Sequence, residues 1–226
     1  MVGNLTEVYD HLFAELGPQN WWPGETSCEI LVGAVLTQNT AWRNVERAIA
    51  NLKDAGVLDI ATLRSLADEE LAELIRPAGY YRLKARRLKN LLDFVAERYG
   101  GSLEEMFQAD LETLREGLLS VRGVGPETAD SILLYAGHRP VFVVDAYTAR
   151  IGVRHGWLEA GADYHQIQDE FQSQLPRDPQ VYNEFHAMIV QLGKHYCHKR
   201  QPDCQSCPLK DFLPPGGPYS GDVDDG

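Results

Sequence analysis

The sequence predicts an all-α fold, and three observations carry that reading. Apolar residues recur at helical spacing along nearly the whole chain, and helix-starting residues stand in front of several of those segments. The one strand-like run, residues 141–144, lies between Pro140 and Asp145 and is too short to build a sheet. With 226 residues and 44% hydrophobic content, the chain can bury a proper core as one domain or two small ones.

In chain order, residues 5–16 have helical periodicity. Ser27 is placed to cap a helix over 29–36 with Leu31 and Val35 on one face, and Thr40 to cap another that runs to 52. Further helices are expected over 60–65, 68–75, 82–99, 103–107, 110–119, 126–135, 146–152, 164–175 and 179–191. The end, 212–226, is rich in Pro, Gly and Asp and reads as a mobile tail.

No run approaches the roughly 18 apolar residues that a membrane-spanning helix needs, so no membrane partner is expected. The acidic N-terminus has no basic leader, and three of the four cysteines crowd near the C-terminus, unlike a secreted disulfide framework. A cytoplasmic protein with a metal or cluster site follows from that reading. A net charge of −12 argues against a general nucleic-acid binder. Yet residues 76–89 hold Arg76, Arg82, Lys84, Arg86, Arg87 and Lys89 with no acid among them, leaving room for a local basic face.

The stretch 118–150, LLSVRGVGPETADSILLYAGHRPVFVVDAYTAR, organises the rest. Gly123 and Gly125 around Val124 allow a tight turn, and Pro126 suits the first position of a helix. A turn feeding a helix N-terminus offers free N–H groups to an anion such as a phosphate. After the apolar run comes Asp145, at the start of a new helix. Taken singly, the glycine turn is also an ordinary loop and Asp145 an ordinary N-cap.

The order of hairpin, helix, apolar run and Asp resembles the helix-hairpin-helix glycosylases of the endonuclease III superfamily, matched over 121–129 and 143–150. That resemblance implies two lobes with the active cleft between them. One is a six-helix lobe at 25–136, and the other joins 1–24 to 137–226. It implies a damaged double-stranded DNA substrate, a monomeric enzyme that flips the damaged base and hydrolyses its N-glycosidic bond, and Asp145 as the catalytic carboxylate. Gln38, closing the polar run after the first buried helix, matches a glutamine that enters the duplex where a base has left. Gly79, Tyr80, Lys84 and Ala85 match a segment that follows a turn, which suggests DNA contact by Lys84 and Arg87.

Members that also cut the backbone carry a Schiff-base lysine two residues after the second hairpin glycine. Glu127 stands there, so the resemblance narrows to the monofunctional branch. Members that remove adenine opposite an oxidised guanine have a glutamate at the position of Gly33. Residues 31–40 with the Trp21-Trp22-Pro23 element look most like the bacterial endonuclease III-like 3-methyladenine glycosylases, which suggests a base pocket from Trp21, Trp22, Pro23 and Trp42 for an alkylated purine. The alternatives are a glycosylase of oxidised pyrimidines and a non-catalytic DNA-binding module. Cys197, Cys204 and Cys207 match the first three ligands of the superfamily's four-iron four-sulfur (4Fe-4S) cluster. Such clusters need four thiolates, and Leu213 and Pro214 stand where the fourth is expected. A cluster, a zinc ion completed by Asp211, water, His195 or His198, and a metal-free remnant remain open. Cys28 reads as a core residue.

Overall fold

The computed structural model describes residues 4–220. The expected C-terminal tail therefore lies partly outside the described residues. The described chain is helical without β-strands. Its contacts divide it into two compact units, Met1–Trp21 with Pro140–Gly226, and Trp22–Arg139.

The second unit is built around α2 (Ser27–Leu36), in which every residue from Glu29 to Leu36 is buried. A helix apolar on all sides must be covered on all sides. Helix α3 (Trp42–Asp54), α6 (Tyr81–Tyr99) and α9 (Pro126–Ser131), with the wider turn Ile132–Ala136 that continues α9, supply that cover. Thr26 rather than Ser27 caps α2, its hydroxyl accepting from the Glu29 N–H. Helices α4 (Ile60–Ser65) and α5 (Asp68–Leu74) pack on α6, and α7 (Leu103–Gln108) and α8 (Leu111–Ser120) complete the unit. Arg115 of α8 makes a bidentate ion pair with the fully buried Asp130 of α9, at 2.7 and 3.0 Å. Such a fork fixes orientation as well as charge, and here it locks the two helices of the hairpin together.

The other unit contains α1 (Leu5–Leu16), α10 (Ala146–His155), α11 (Tyr164–Gln174) and α12 (Pro179–His195). Phe142, Phe171, Tyr182 and Phe185 form its aromatic core; the rings of Phe142 and Phe171 stack at 4.6 Å. The expected strand-like run 141–144 is extended but is not a strand, because no neighbouring backbone pairs with it. Side chains of α11 do that work instead. Gln172 accepts from the Phe142 N–H at 3.0 Å, and Gln168 donates to the Phe142 carbonyl at 2.6 Å. A buried backbone left without such partners would cost free energy comparable to a lost hydrogen bond.

Candidate active site

Asp145 ends the extended run and caps α10. Its Oδ1 accepts from the backbone N–H of Thr148 at 2.8 Å and from the Thr148 hydroxyl at 2.9 Å. The Asp145 N–H points back to that hydroxyl at 3.4 Å, which makes a reciprocal capping box. The other oxygen, Oδ2, faces His186 Nε2 of α12 at 3.6 Å. Burial pushes the Asp145 carboxyl up, but His186 and the Thr148 donors outweigh it and hold the group below the ordinary carboxylate range. A carboxylate largely removed from water, yet ionised, results. The cap reading and the catalytic reading of Asp145 are compatible, since one oxygen serves the helix and the other does not.

The hairpin lies in the other unit. Gly123 has φ of +100°, and a Cβ there would come within 2.3 Å of the Arg87 side chain, so both conformation and space demand glycine. Gly125 is the N-cap of α9, with Pro126 first in the helix as expected. Glu127 is exposed in the first turn. Gln38, just past α2, binds the hairpin directly: its Nε2 donates to the Gly123 carbonyl at 3.0 Å and the Thr128 hydroxyl at 2.9 Å. Its Oε1 accepts from Arg87 at 2.5 Å. Gln38, Arg87, Gly123 and Thr128 thus form one cluster, although they come from three separate stretches of sequence.

Lys84 does not belong to that surface, contrary to the DNA contact expected of it. It is 1% exposed, and its ammonium donates to the carbonyls of Leu36 and Ala78, both at 2.8 Å. Burial, with Arg87 adding to it, pushes the amine down to about 8. Nor do the basic residues of 76–89 form a single basic face. Lys89 donates to the carbonyls of Arg64 and Leu66, while Arg82 and Arg86 share a surface hollow with Asp68, Glu69 and Glu73.

The adjacent tryptophans part company. Trp21 packs in the first unit, its carbonyl accepting from Asn183 and its ring beneath the Lys194 ammonium at 5.4 Å. Trp22 belongs to the second unit. Its backbone is held at φ +60°, uncommon for a bulky residue, and its ring stacks on Tyr135 at 4.7 Å and meets Trp42 edge-on at 5.2 Å. Trp22 and Trp42 border a cavity of about 180 Å³ lined also by Pro23, Gly33, Glu29, Glu46 and Lys53. Trp42 donates its indole N–H to Glu46 at 3.0 Å. Gly33 lies flat under the Trp22 ring, where an added Cβ would sit at contact distance, 3.5 Å. Tyr135 was not foreseen, because in the sequence it is one more apolar position on a buried helix. His186 was missed for the same reason.

The three clustered cysteines line one small cavity together with Arg154, His155 and Leu213. Burial raises the thiols of Cys204 and Cys207. Cys197 already accepts from the Arg154 guanidinium at 3.1 Å, and the same guanidinium donates to the carbonyls of His198 and Lys199. Among the described residues no three His, Cys, Asp or Glu side chains are grouped to hold a metal ion. With Leu213 at the cavity wall and no fourth thiolate, these residues do not fit a four-iron cluster. Cys28 lies at the start of α2, and burial, with Asp59 and Glu29 adding to it, pushes its thiol up to about 12.

A helical hairpin whose glycine turn opens a helix, followed by a capped carboxylate, is the hallmark of a class of base excision DNA repair enzymes. The chain belongs to the HhH-GPD superfamily of base excision DNA repair proteins, whose family model matches residues 32–177. It is a DNA N-glycosylase of that superfamily. It is 50% identical over 210 residues to the provisionally named DNA repair glycosylase MJ1434 of Methanocaldococcus jannaschii, covering 92% of this chain and 94% of that one. A 3-methyladenine DNA glycosylase of H. pylori (MagIII), solved with 1,N6-ethenoadenine, superposes with a TM-score of 0.74 at 31% identity, covering 83% of this chain and 96% of that one. An endonuclease III–DNA complex superposes with a TM-score of 0.79 at 22% identity, covering 94% and 96%, a likeness of fold. No described helix is long and apolar enough to cross a membrane.

Proposed function

We propose that this glycosylase releases alkylated purines from double-stranded DNA by hydrolysis alone, with Asp145 as the catalytic carboxylate. The base must first leave the stack, because its sugar bond is inaccessible in a duplex. The hairpin amides of Gly123 and Gly125 suit a backbone phosphate, and the Gln38–Arg87 cluster stands against that turn. As the base departs, positive charge grows on the sugar. A part-buried, ionised Asp145 stabilises that charge and orients or deprotonates the attacking water.

The observation that carries the substrate class is the pair Trp22 and Trp42 lining one cavity, with Tyr135 stacked behind Trp22. A purine alkylated at a ring nitrogen is cationic, and a cation over an aromatic face gains on the order of 0.5–2 kcal/mol. Its glycosidic bond is already labile, so stacking, shape and one carboxylate suffice. The likeness to the H. pylori 3-methyladenine glycosylase supports the same reading. Glu127 supports hydrolysis without lyase chemistry, since a carboxylate cannot form the imine.

The test is a panel of duplexes carrying 3-methyladenine, thymine glycol or uracil, scored for abasic sites. 3-Methyladenine is the expected best substrate, with Trp22→Ala and Trp42→Ala each slowing its release by roughly 10-fold, the scale of one lost cation–π contact. Faster release of thymine glycol, or full alkylpurine activity in both variants, defeats the assignment.

A further inference from the structure

We propose that His186 is a positioning residue for Asp145: its imidazole holds the carboxylate oxygen that the helix cap leaves over, and so fixes the charge that faces the reacting sugar. The inference rests on the reading of Asp145 as the catalytic group. It starts from an anomaly in α12, where 185–190 is otherwise apolar and buried and yet contains a histidine exposed by only 5%. A buried imidazole needs a polar partner. The partner here is Asp145 Oδ2, 3.6 Å from Nε2, with the ring packed edge-on against Phe142.

The approach of α12 to α10 is enforced elsewhere along the same pair. A Cβ on Gly193 would come within 2.1 Å of the Tyr147 ring, so these helices meet closely only because residue 193 has no side chain. Thr148 commits Oδ1, His186 addresses Oδ2, and the carboxylate plane is set from both sides. A reacting group oriented by a second and a third side chain is the general logic of catalytic constellations, and contacts slightly long in the free enzyme tighten when substrate binds. Of the other titratable or charged groups around this segment, Tyr164 of α11 accepts from the Val144 N–H through its hydroxyl oxygen, and Arg150 of α10 donates to the carbonyls of Cys197 and Ala146. That the Asp145 carboxyl is held below the ordinary carboxylate range agrees with this arrangement.

Single-turnover release of 3-methyladenine, measured against pH with spontaneous loss subtracted, tests the proposal. His186→Phe keeps the ring but loses the N–H. It should lower the plateau rate roughly 10-fold and move the acid limb up by about one pH unit, while duplex Kd stays within about 2-fold. His186→Gln, whose amide nitrogen can stand where Nε2 stood, should restore most of both. In an Asp145→Asn background His186→Phe should cost nothing further. An unmoved acid limb, or an equal loss in both backgrounds, overturns the positioning role. Should His186→Phe fail to fold, the imidazole resonances of His186 in the intact enzyme decide: they must move as Asp145 titrates and stay still in Asp145→Asn. If Asp145→Asn itself keeps full turnover, the catalytic reading of Asp145 has failed, an outcome separate from failure of the His186 role alone.

Discussion

Lys84 is taken almost wholly out of water and Asp145 largely so, and both titrate low, yet the same direction means opposite things. For the carboxyl, a low value means that the charged form is favoured: two Thr148 donors and an imidazole meet it. For the amine, a low value means that the charge is resisted, since its partners are neutral carbonyls and the nearest named cation, Arg87, repels it. Burial alone predicts neither outcome. What the surroundings offer to the charged form decides. A buried ion held in its charged form is suited to chemistry, whereas one held against its charge is a brace, here tying the end of α2 to the turn before α6.

The sharpest way to break this contrast is Asp145→Asn. Asparagine is also a favoured N-cap, so the helix keeps its start and only the charge goes. Base release should fall by roughly 10²-fold or more while duplex Kd changes little, as measured by single-turnover cleavage and titration binding. An unfolded variant, or one with full turnover, would reduce Asp145 to a cap.

A smaller effect is expected from Lys84→Met, read as stability against pH. The folded amine titrates near 8 and the unfolded one near 10.5, so the unfolded chain holds more protons between those values and wild-type stability rises with pH across that window. The stability of wild type relative to Lys84→Met should therefore grow by on the order of 2 kcal/mol between pH 8 and pH 10 in denaturant unfolding. Asp145 works at the other end: its folded value is depressed, so its contribution, full above the ordinary carboxylate value, is lost as pH falls through the folded one. Parallel curves for wild type and Lys84→Met at alkaline pH would show that Lys84 is not the strained charge described.

The smallest expected signal is none at all. Borohydride added to enzyme with abasic DNA should trap no covalent adduct, because Glu127 replaces the lysine and the one deeply buried amine, Lys84, is turned to backbone carbonyls. A stable adduct on denaturing gels would defeat the monofunctional assignment and identify an amine that reaches the sugar.

Features that act through backbone conformation were legible in the sequence. Gly123, Gly125 and Pro126 announce the hairpin because few other residues tolerate those positions, and the helices follow from the spacing of their apolar residues. The roles of long side chains were not legible. Lys84 and Arg87 are three residues apart on one helix, and only the position of Leu36 and Ala78 sends one inward while the other meets Gln38. Tyr135 and His186 were silent for a related reason. Each sits on a buried helix where sequence suggests packing, and its partner, Trp22 or Asp145, lies far off along the chain. A polar residue within the apolar stretch of α12 was the one available signal for His186. The cysteine spacing named three donors but could not say that a guanidinium would occupy one of them.

The capping box around Asp145 has a consequence for how the entropy of catalysis is divided. A carboxylate on a free side chain must give up rotational freedom at each turnover, and that loss raises the barrier. Here the Oδ1 contacts form when α10 forms, so the loss is incurred once, in folding, by the same hydrogen bonds that start the helix. Rigidity at this point is inherited from secondary structure, and it cannot be loosened without unwinding the first turn of α10.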